Sequence, residues 1–528
     1  MKVAREDVDA WIADDVDAAA ADELQGLLDT GDEDGLDDRF AAHLAFGTAG
    51  LRGPLRAGPN GMNRTVVRRA AAGLATWLIE HGHLGQPVVV GYDARHGSLD
   101  FAHDSAAIFA AAGFEALLMP RTLPTPVLAY AVQHLHAAAG VMVTASHNPP
   151  QDNGYKVYAD DGAQIVPPTD AEIEAAIQAV GSSRAIPLSD AYTVLDESIV
   201  TDYVTSVSAL INDGPRDLRI VHTAMHGVGT EVVRMVLARA GFADVISVPE
   251  QEQPDPEFPT VSFPNPEEPG ALDLALALAQ REDADVIIAN DPDADRCAVA
   301  AKSADGTLRP LRGDEVGVLL ADALLRKGIR GTYATTIVSS SWLAALTARH
   351  GVGYAETLTG FKWISRAAAD LVFGYEEALG YAVAPNLVRD KDGVSAALLV
   401  AELAATLKSS GSSLLQQLDE LAAEYGRYAT DQISVRVEDL SVIGQLMQHV
   451  RDEPPALLLG KATAIEDLLP QTDGLRWRWD GGRVVVRPSG TEPKLKAYLE
   501  VVEPSGSAEL AAATLHQLRA EVSAALGV

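Results

Sequence analysis

Three short stretches carry residue types and spacings that can do chemistry, and they lie far apart in the chain. The first is V-M-V-T-A-S-H-N-P, Val141 to Pro149. A β-branched apolar run gives way to small polar residues and a proline, so a buried strand should deliver Ser146 to a tight exposed loop. Alone, that loop reads more readily as a strand-to-helix turn whose serine or asparagine caps the next helix. The second is D-P-D-A-D-R, Asp291 to Arg296, directly after the apolar stretch Asp285 to Asn290. The carboxylates of Asp291, Asp293 and Asp295 would repel one another unless a cation sits between them, and all-oxygen ligands favour a hard ion such as magnesium. An EF-hand is excluded, because its sixth position holds Arg296 instead of Gly and its twelfth Lys302 instead of Glu. A solvated acidic turn is the competing reading. The third is R-P-S-G-T-E-P-K-L-K, Arg487 to Lys496. Arg487, Ser489, the backbone N–H groups around Gly490, and Thr491 supply a fork, hydroxyls and main-chain donors, as a phosphate dianion requires. A type II turn at Ser-Gly would explain the glycine alone.

Weaker signals surround these. F-G-T-A-G-L-R-G, Phe46 to Gly53, packs three glycines about Arg52, a pattern for backbone that approaches something closely while an arginine reaches into the same space. D-N-G-Y-K-V-Y, Asp152 to Tyr158, reads as a turn at Asn153 and Gly154 followed by an extended segment carrying Lys156. The strand and Gly-rich turn through M-H-G-V-G, Met225 to Gly229, has the shape of a phosphate turn but is non-specific by itself. T-G-F-K-W, Thr359 to Trp363, reads as a loop. In G-Y-E-E-A-L-G-Y, Gly374 to Tyr381, paired glutamates suit either hydroxyl recognition or a solvated turn.

The elements that must position these residues alternate between strand and helix, which means α/β domains. Strands are expected at Val88–Tyr92, leading to D-A-R-H at Asp93 to His96, at Ala116–Met119, and at Ala334–Val338. Arg5 to Asp38 reads as one or two acidic, Ala-rich helices broken at Gly31 to Gly35, forming a surface appendage. Pro249 to Pro269, acidic and Pro-rich, is expected to be a long loop over the site. A linker near Glu424 to Thr430 should lead to a last domain with short strands at Gln432–Val437 and Val484–Arg487. At 528 residues the chain needs three to four cores. The boundaries we read are 1–205, including a helical appendage 1–45, then 206–312, 313–428 and 429–528.

Composition bounds the partners. A formal net charge of -33 argues against nucleic acid or an anionic membrane, since either needs a basic face. The single cysteine, Cys297, excludes an internal disulfide framework and fits a reducing compartment. No apolar leader opens the sequence and no run of 18 apolar residues occurs, so a cytoplasmic protein is expected.

Taken jointly and in order, T-A-S-H-N-P, D-x-D-x-D-R and R-x-S-G-T-E-P resemble the α-D-phosphohexomutase superfamily, the phosphoglucomutases and phosphomannomutases, from about Phe46 to the C-terminus. The resemblance implies four domains around a central cleft, three similar α/β domains plus a smaller C-terminal α+β domain. It implies that Ser146 is a phosphoserine that lends its phosphoryl group to a sugar phosphate, passes through a 1,6-bisphosphate and takes the other phosphoryl back. Asp291, Asp293 and Asp295 match the Mg2+ ligands, with the phosphate on Ser146 as a further ligand, and a sugar 1,6-bisphosphate would be the activator. Lys156 matches a candidate general base whose pKa burial would lower. Arg52 and Arg296 would contact phosphate oxygens. His147 falls among the catalytic residues by position, although neighbours on an extended loop point apart, so it is not expected to be the serine's base. Glu376 and Glu377, with Thr359 on the loop nearby, would read the sugar, and Arg487, Ser489, Gly490 and Thr491 would hold the phosphate that is not reacting. Lys362 or Tyr381 would supply the second acid or base, with Lys362 favoured. Implied partners are small sugar phosphates, with the chain a monomer or homodimer.

The sugar loop departs from the commoner G-E-x-S-G-H: Ala378 replaces its serine, and Tyr381 stands where many members have His. With D-P-D-A-D-R and T-G-F-K-W, it resembles the branch that includes phosphopentomutases and glucose-1,6-bisphosphate synthases. Glucose or mannose phosphates are the first expectation, with pentose phosphates or bisphosphate synthesis by the same mechanism as the alternative. A non-catalytic phosphosugar-binding protein is the distant one, and retention of Ser146, the carboxylates and Arg487 argues against it.

Overall fold

The structure, a computed structural model, describes residues 3–437, 441–489 and 494–527. The chain divides into two compact units, Met1–Leu311 with Gly380–Ser409, and Arg312–Leu379 with Ser410–Val528.

The first unit holds two α/β sheets. Strands β1 (Leu51–Pro54), β2 (Pro87–Tyr92), β3 (Glu115–Leu118), β4 (Ala139–Val143), β5 (Asp152–Ala159) and β6 (Thr193–Val194) are ordered β1-β5-β4-β2-β3-β6. The pairs among β4, β2, β3 and β6 are parallel, whereas β5 runs antiparallel to β4, and β1 in turn pairs antiparallel with β5. Helices cover this sheet, so its central strands are the unbroken apolar runs Val88–Val90 and Val141–Val143. Strands β7 (Ile220–Thr223), β8 (Val245–Ser247), β9 (Val286–Ala289), β10 (Ala298–Lys302) and β11 (Leu308–Pro310) form the second sheet, ordered β11-β10-β9-β7-β8. Its β7, β8 and β9 are parallel. The carboxyl ends of β4 and β9 therefore carry Ser146 and Asp291, where open parallel sheets hold their ligands.

In the second unit, β12 (Thr332–Thr336), β13 (Gly353–Thr357) and β14 (Leu371–Glu376) pair in parallel. A separate antiparallel sheet there includes the strands Arg427–Arg436, Lys494–Glu503, Gly482–Pro488 and Leu475–Trp479 in that spatial order. Helix Ala508–Leu526 packs on it through Leu518, Val522 and Leu526. The α/β and α+β architecture follows the expectation.

Several local readings change. The N-terminal segment is three helices, Arg5–Asp14, Ala18–Thr30 and Glu33–Phe40, so Gly31 caps one helix while Gly35 lies inside the next. They are docked, not appended: Val8, Leu24 and Leu36 pack with Ala57, and buried Asp15 accepts a hydrogen bond from Thr65 at 2.6 Å. Asn153 and Gly154 form no turn but stand in β5, paired with Gly53 and Arg52. Thr-Gly-Phe-Lys-Trp is partly a short helix, Phe361–Ile364. The last domain's first strand begins at Arg427, inside the expected linker. Among the described residues, no single helix is long and apolar enough to cross a membrane.

Candidate active site

The serine loop is folded inward. Ser146 has φ of 52°, a left-handed conformation, and is only 4% exposed, so the expectation of an exposed loop is corrected. Its N–H donates to Thr144 Oγ1 at 2.9 Å, and the Asn148 N–H to the Ala145 carbonyl at 3.1 Å, which closes the turn. Ser146 Oγ donates to Asp291 Oδ2 at 2.9 Å and lies 3.1 Å from His147 Nδ1. The expectation that the two side chains point apart fails because positive φ at Ser146 breaks the extended alternation on which it rested. Burial, reinforced by the charges of Arg296 and Arg52, holds the His147 pKa well below its ordinary value, so the imidazole is neutral.

Arg95, at the end of the D-A-R motif, ties this loop down. Its Nη1 donates to the carbonyls of Pro149 (2.8 Å) and Asp152 (3.1 Å), and its Nη2 to those of Ser146 (2.6 Å) and Asn148 (2.5 Å). Asp93 lies 3.5 Å from its Nε. The guanidinium stacks over Phe258, 4.9 Å from the ring centroid. The segment from Pro249 to Pro269 does lie against this region, with a single 3-10 turn at Pro249–Gln251, and its Glu267 accepts from Arg296 at 3.4 Å.

The three aspartates converge. Asp291, Asp293 and Asp295 are fully buried, and one oxygen from each lies within 4.8 Å of the others. Lys156 Nζ donates to Asp293 at 2.7 Å and to Asp295 at 3.0 Å, Thr125 Oγ1 donates to Asp293 at 2.6 Å, and Lys391 Nζ is 3.4 Å from Asp295. Asp293 Oδ1 and Asp295 Oδ1 are buried without a hydrogen-bond partner among the described residues. Buried carboxylate oxygens left bare are what a hard divalent cation satisfies, so the donor set fits a metal site. Burial and the repulsion of its two neighbours raise the Asp291 pKa well above the carboxylate range. For Asp293 burial acts in the same direction, but Lys156 outweighs it and the pKa falls. The Lys156 pKa is raised: burial pulls it down, and Asp293 and Asp295 more than offset that. The expected lowering by burial is thereby corrected.

Glycine makes room for this packing. A Cβ on Gly154 would sit 2.5 Å from the Thr144 carbonyl oxygen, and one on Gly50, whose φ is +72°, 1.8 Å from that of Tyr155. Arg52 follows on β1, with Nη1 on Asn148 Oδ1 at 3.2 Å and a buried Nε without a partner among the described residues.

In the second unit, Glu376 ends β14 and Glu377 accepts hydrogen bonds from Ser339 Oγ (2.8 Å) and Thr336 Oγ1 (3.3 Å). The Ser339 carbonyl in turn accepts from Arg483, which also pairs with Glu356 and Glu500 at 3.1 and 3.0 Å. Thr359 is half-buried before the short helix that carries Lys362, whose Nζ lies 5.9 Å from the Trp363 ring centroid. Arg487 and Ser489 sit at the end of the strand Gly482–Pro488, Arg487 with a buried Nε that has no partner among the described residues. Gly490 and Thr491 lie outside the described residues.

Sequence reasoning left Arg95, Thr125 and Lys391 without a role. The signal for Arg95 was present, a strand ending directly in D-A-R. Thr125 and Lys391 gain meaning only from their contacts with the triad.

Four domain families match in order: phosphoglucomutase/phosphomannomutase alpha/beta/alpha domain I over residues 43–184, domain II over 201–306, domain III over 312–425 and the C-terminal domain over 433–517. The chain is 49% identical over 453 residues to a Haemophilus influenzae protein named "Probable phosphomannomutase", covering 83% of this chain and 93% of that one. It is 36% identical to the phosphopentomutase of Mus musculus, covering 94% and 90%. A crystal structure carrying a phosphomannomutase assignment, from Thermus thermophilus, superposes with a TM-score of 0.74 at 29% identity, covering 91% of this chain and 99% of that one.

Proposed function

The chain belongs to the phosphoglucomutase/phosphomannomutase family, and on that premise we propose that it is a phosphosugar mutase in which Ser146 is the phosphoryl carrier. The observation that carries this reading is the hydrogen bond from Ser146 Oγ to Asp291 at 2.9 Å, beside two carboxylate oxygens that lack partners among the described residues. In the first half-reaction the bond from phosphorus to Ser146 Oγ breaks as one forms to the free hydroxyl of a sugar monophosphate. That hydroxyl gives up its proton, and the serine regains one. In the second, the bisphosphate presents its other phosphoryl group to Ser146 Oγ, the serine loses its proton, and the released sugar oxygen gains one. Atoms and charge balance over the cycle, and the phosphate has moved between C1 and C6.

Two side chains divide the positioning and charge work. His147 is neutral and 3.1 Å from Oγ, which suits it to orient the serine, whose proton Oγ already gives to Asp291. Lys156, kept charged by Asp293 and Asp295, suits stabilisation of the transferring phosphoryl oxygens together with Arg52 and Arg296. Asp291, Asp293 and Asp295 would hold Mg2+, which when bound supplies charge neutralisation at those oxygens. A sugar 1,6-bisphosphate would prime Ser146. Arg487, Ser489, Gly490 and Thr491 would grip the unreacting phosphate, and Glu376 and Glu377 the sugar hydroxyls. Lys362 is the candidate second acid or base, since Tyr381 is fully buried.

Glucose or mannose phosphates are the proposed substrates. Pentose phosphates are the second reading, favoured by the phosphopentomutase relative and by Ala378 and Tyr381 in the sugar loop. Turnover measured side by side on glucose 1-phosphate, mannose 1-phosphate and ribose 1-phosphate, with magnesium and a trace of bisphosphate, decides between them. A pentose preference would move the substrate and keep the mechanism, whereas no turnover on any of the three would sink the mutase reading.

A further inference from the structure

One strand of the second unit joins the phosphate grip to the sugar loop. In Gly482–Pro488 alternate side chains share a face, so Arg483, Val485 and Arg487 stand in a row while Val484 and Val486 enter the core under helix Ala508–Leu526. Val485 packs with Tyr498 against Ile337 and Val338, in the turn that follows β12. Arg487, at the far end of the row, is the arginine assigned above to the unreacting phosphate. Arg483, at the near end, is only 8% exposed.

Arg483 holds the turn by its backbone. It donates to the Ser339 carbonyl and, at 3.4 Å, to that of Ile337, while Glu356 and Glu500 accept from it at 3.1 and 3.0 Å. Glu500, its cross-strand neighbour, also accepts from the Ser341 N–H at 2.8 Å. The C-terminal sheet therefore grips both the carbonyls and an N–H of one turn. A planar guanidinium with five donors can hold these acceptors in fixed directions together, which an ammonium cannot.

Ser339 passes this geometry on. It is fully buried, its Oγ donates to Glu377 Oε2 at 2.8 Å and accepts from the Glu377 N–H at 3.1 Å, and Thr336 Oγ1 donates to the same Oε2 at 3.3 Å. Neither side-chain bond engages Oε1, the oxygen left to meet a sugar hydroxyl.

Resting on the reading of Arg487 and Glu377 given above, we propose that Arg483 is a positioning residue for substrate choice. By holding the Ser339 carbonyl from the strand that ends in Arg487, it fixes where Glu377 stands relative to the gripped phosphate. A pentofuranose is one ring carbon smaller than a hexopyranose, so with its phosphate in the same grip its hydroxyls fall elsewhere. A carboxylate held in one place pairs with one ring and is left unpaired by the other, which is how hydrogen-bonding sites discriminate.

Calorimetry on the full chain carrying Ser146→Ala, which prevents turnover, measures binding of glucose 6-phosphate and ribose 5-phosphate. The parent's preference for one sugar should fall at least about fivefold in Arg483→Lys, which keeps the charge and loses the fork. Ser339→Ala should show the same loss, and the double variant no more than about twofold beyond either, because both act along one path. A merely structural role would weaken both sugars alike and add to the effect of Ser339→Ala. That result, an unchanged ratio in Arg483→Lys, or a parent that binds both sugars equally or neither, would overturn the proposal. Glu356→Gln loosens the guanidinium at its more exposed partner and serves where Arg483→Lys does not fold; it must move the ratio the same way, and an unchanged ratio there counts equally against the proposal. If the chain with Ser146 restored turns over neither sugar while the binding ratio still shifts, the positioning role stands and the mutase reading falls.

Discussion

Replacing Arg95 by methionine keeps an unbranched, flexible stem and removes the guanidinium with its charge and five donors. Four buried or half-buried carbonyls, of Ser146, Asn148, Pro149 and Asp152, lose their partner together. Each orphaned acceptor costs about 1–3 kcal/mol if water cannot reach it. Asp93, 2% exposed, loses the charge that opposes its burial, and breaking such a pair costs about 3–5 kcal/mol. The full sum would rival the stability of a whole domain, so the loop will open to water instead, and we expect a net loss of about 3–5 kcal/mol. At roughly 2–4 °C per kcal/mol, the first thermal transition should fall by about 10 °C. Ser146 should then sit off its mark by an ångström or more, which lowers turnover at least about 100-fold. Differential scanning calorimetry and a coupled turnover assay measure both effects. Asp93→Asn added to Arg95→Met should recover part of the stability, because it removes the stranded charge, and little of the turnover. A melting temperature within about 2 °C of wild type, or turnover within threefold, would refute the argument that Arg95 sets the loop.

Ser146→Ala should cut turnover at least about 1,000-fold while sugar phosphate binding by calorimetry stays within a few-fold; near-normal turnover would end the phosphoserine mechanism. Thr125→Val removes the hydroxyl that orients Asp293 and should weaken Mn2+ binding about 10–100-fold, read by EPR, with the melting temperature little changed. Gly154→Ala forces a Cβ to 2.5 Å from one carbonyl oxygen and 2.9 Å from another, so it should destabilise the first unit by about 3 kcal/mol or more, measured by denaturant unfolding. Burial, opposed by the Ser340 N–H and aided by Glu377 and Glu500, raises the Asp314 pKa from 3.8 to about 7. The neutral carboxyl is favoured in the fold, so its contribution to stability is fully present below 3.8 and is lost as pH rises to about 7. Asp314→Asn should flatten that part of the stability profile of the second unit, and an unchanged profile in hydrogen exchange would count against it.

The architecture and the candidate site were legible to different depths. Val141–Val143 and Asp285–Asn290 announce buried strands because parallel strands covered on both faces must be apolar throughout. The three carboxylates announce a cation because their spacing is otherwise repulsive. These are local facts, and the chain states them locally. The left-handed φ at Ser146 was not legible: a non-glycine residue adopts it only when surrounding contacts impose it, here the four hydrogen bonds from Arg95 and the turn at Thr144. From that one dihedral follow the burial of the serine and the approach of His147 to its Oγ. The same holds for Asn153 and Gly154, whose identities signal a turn but whose place is in β5, because β1 needs a partner there and only glycine clears the Thr144 carbonyl.

The sequence by itself determined which groups are present, in what order, and which strands end where they are displayed. Tertiary structure alone decided their charge states and their company. Lys156 is raised and not lowered in pKa because Asp293 and Asp295, 137 and 139 residues away, lie within 3.0 Å. Burial and pairing pull in opposite directions at such a site, and which one wins depends on distances that no local pattern encodes.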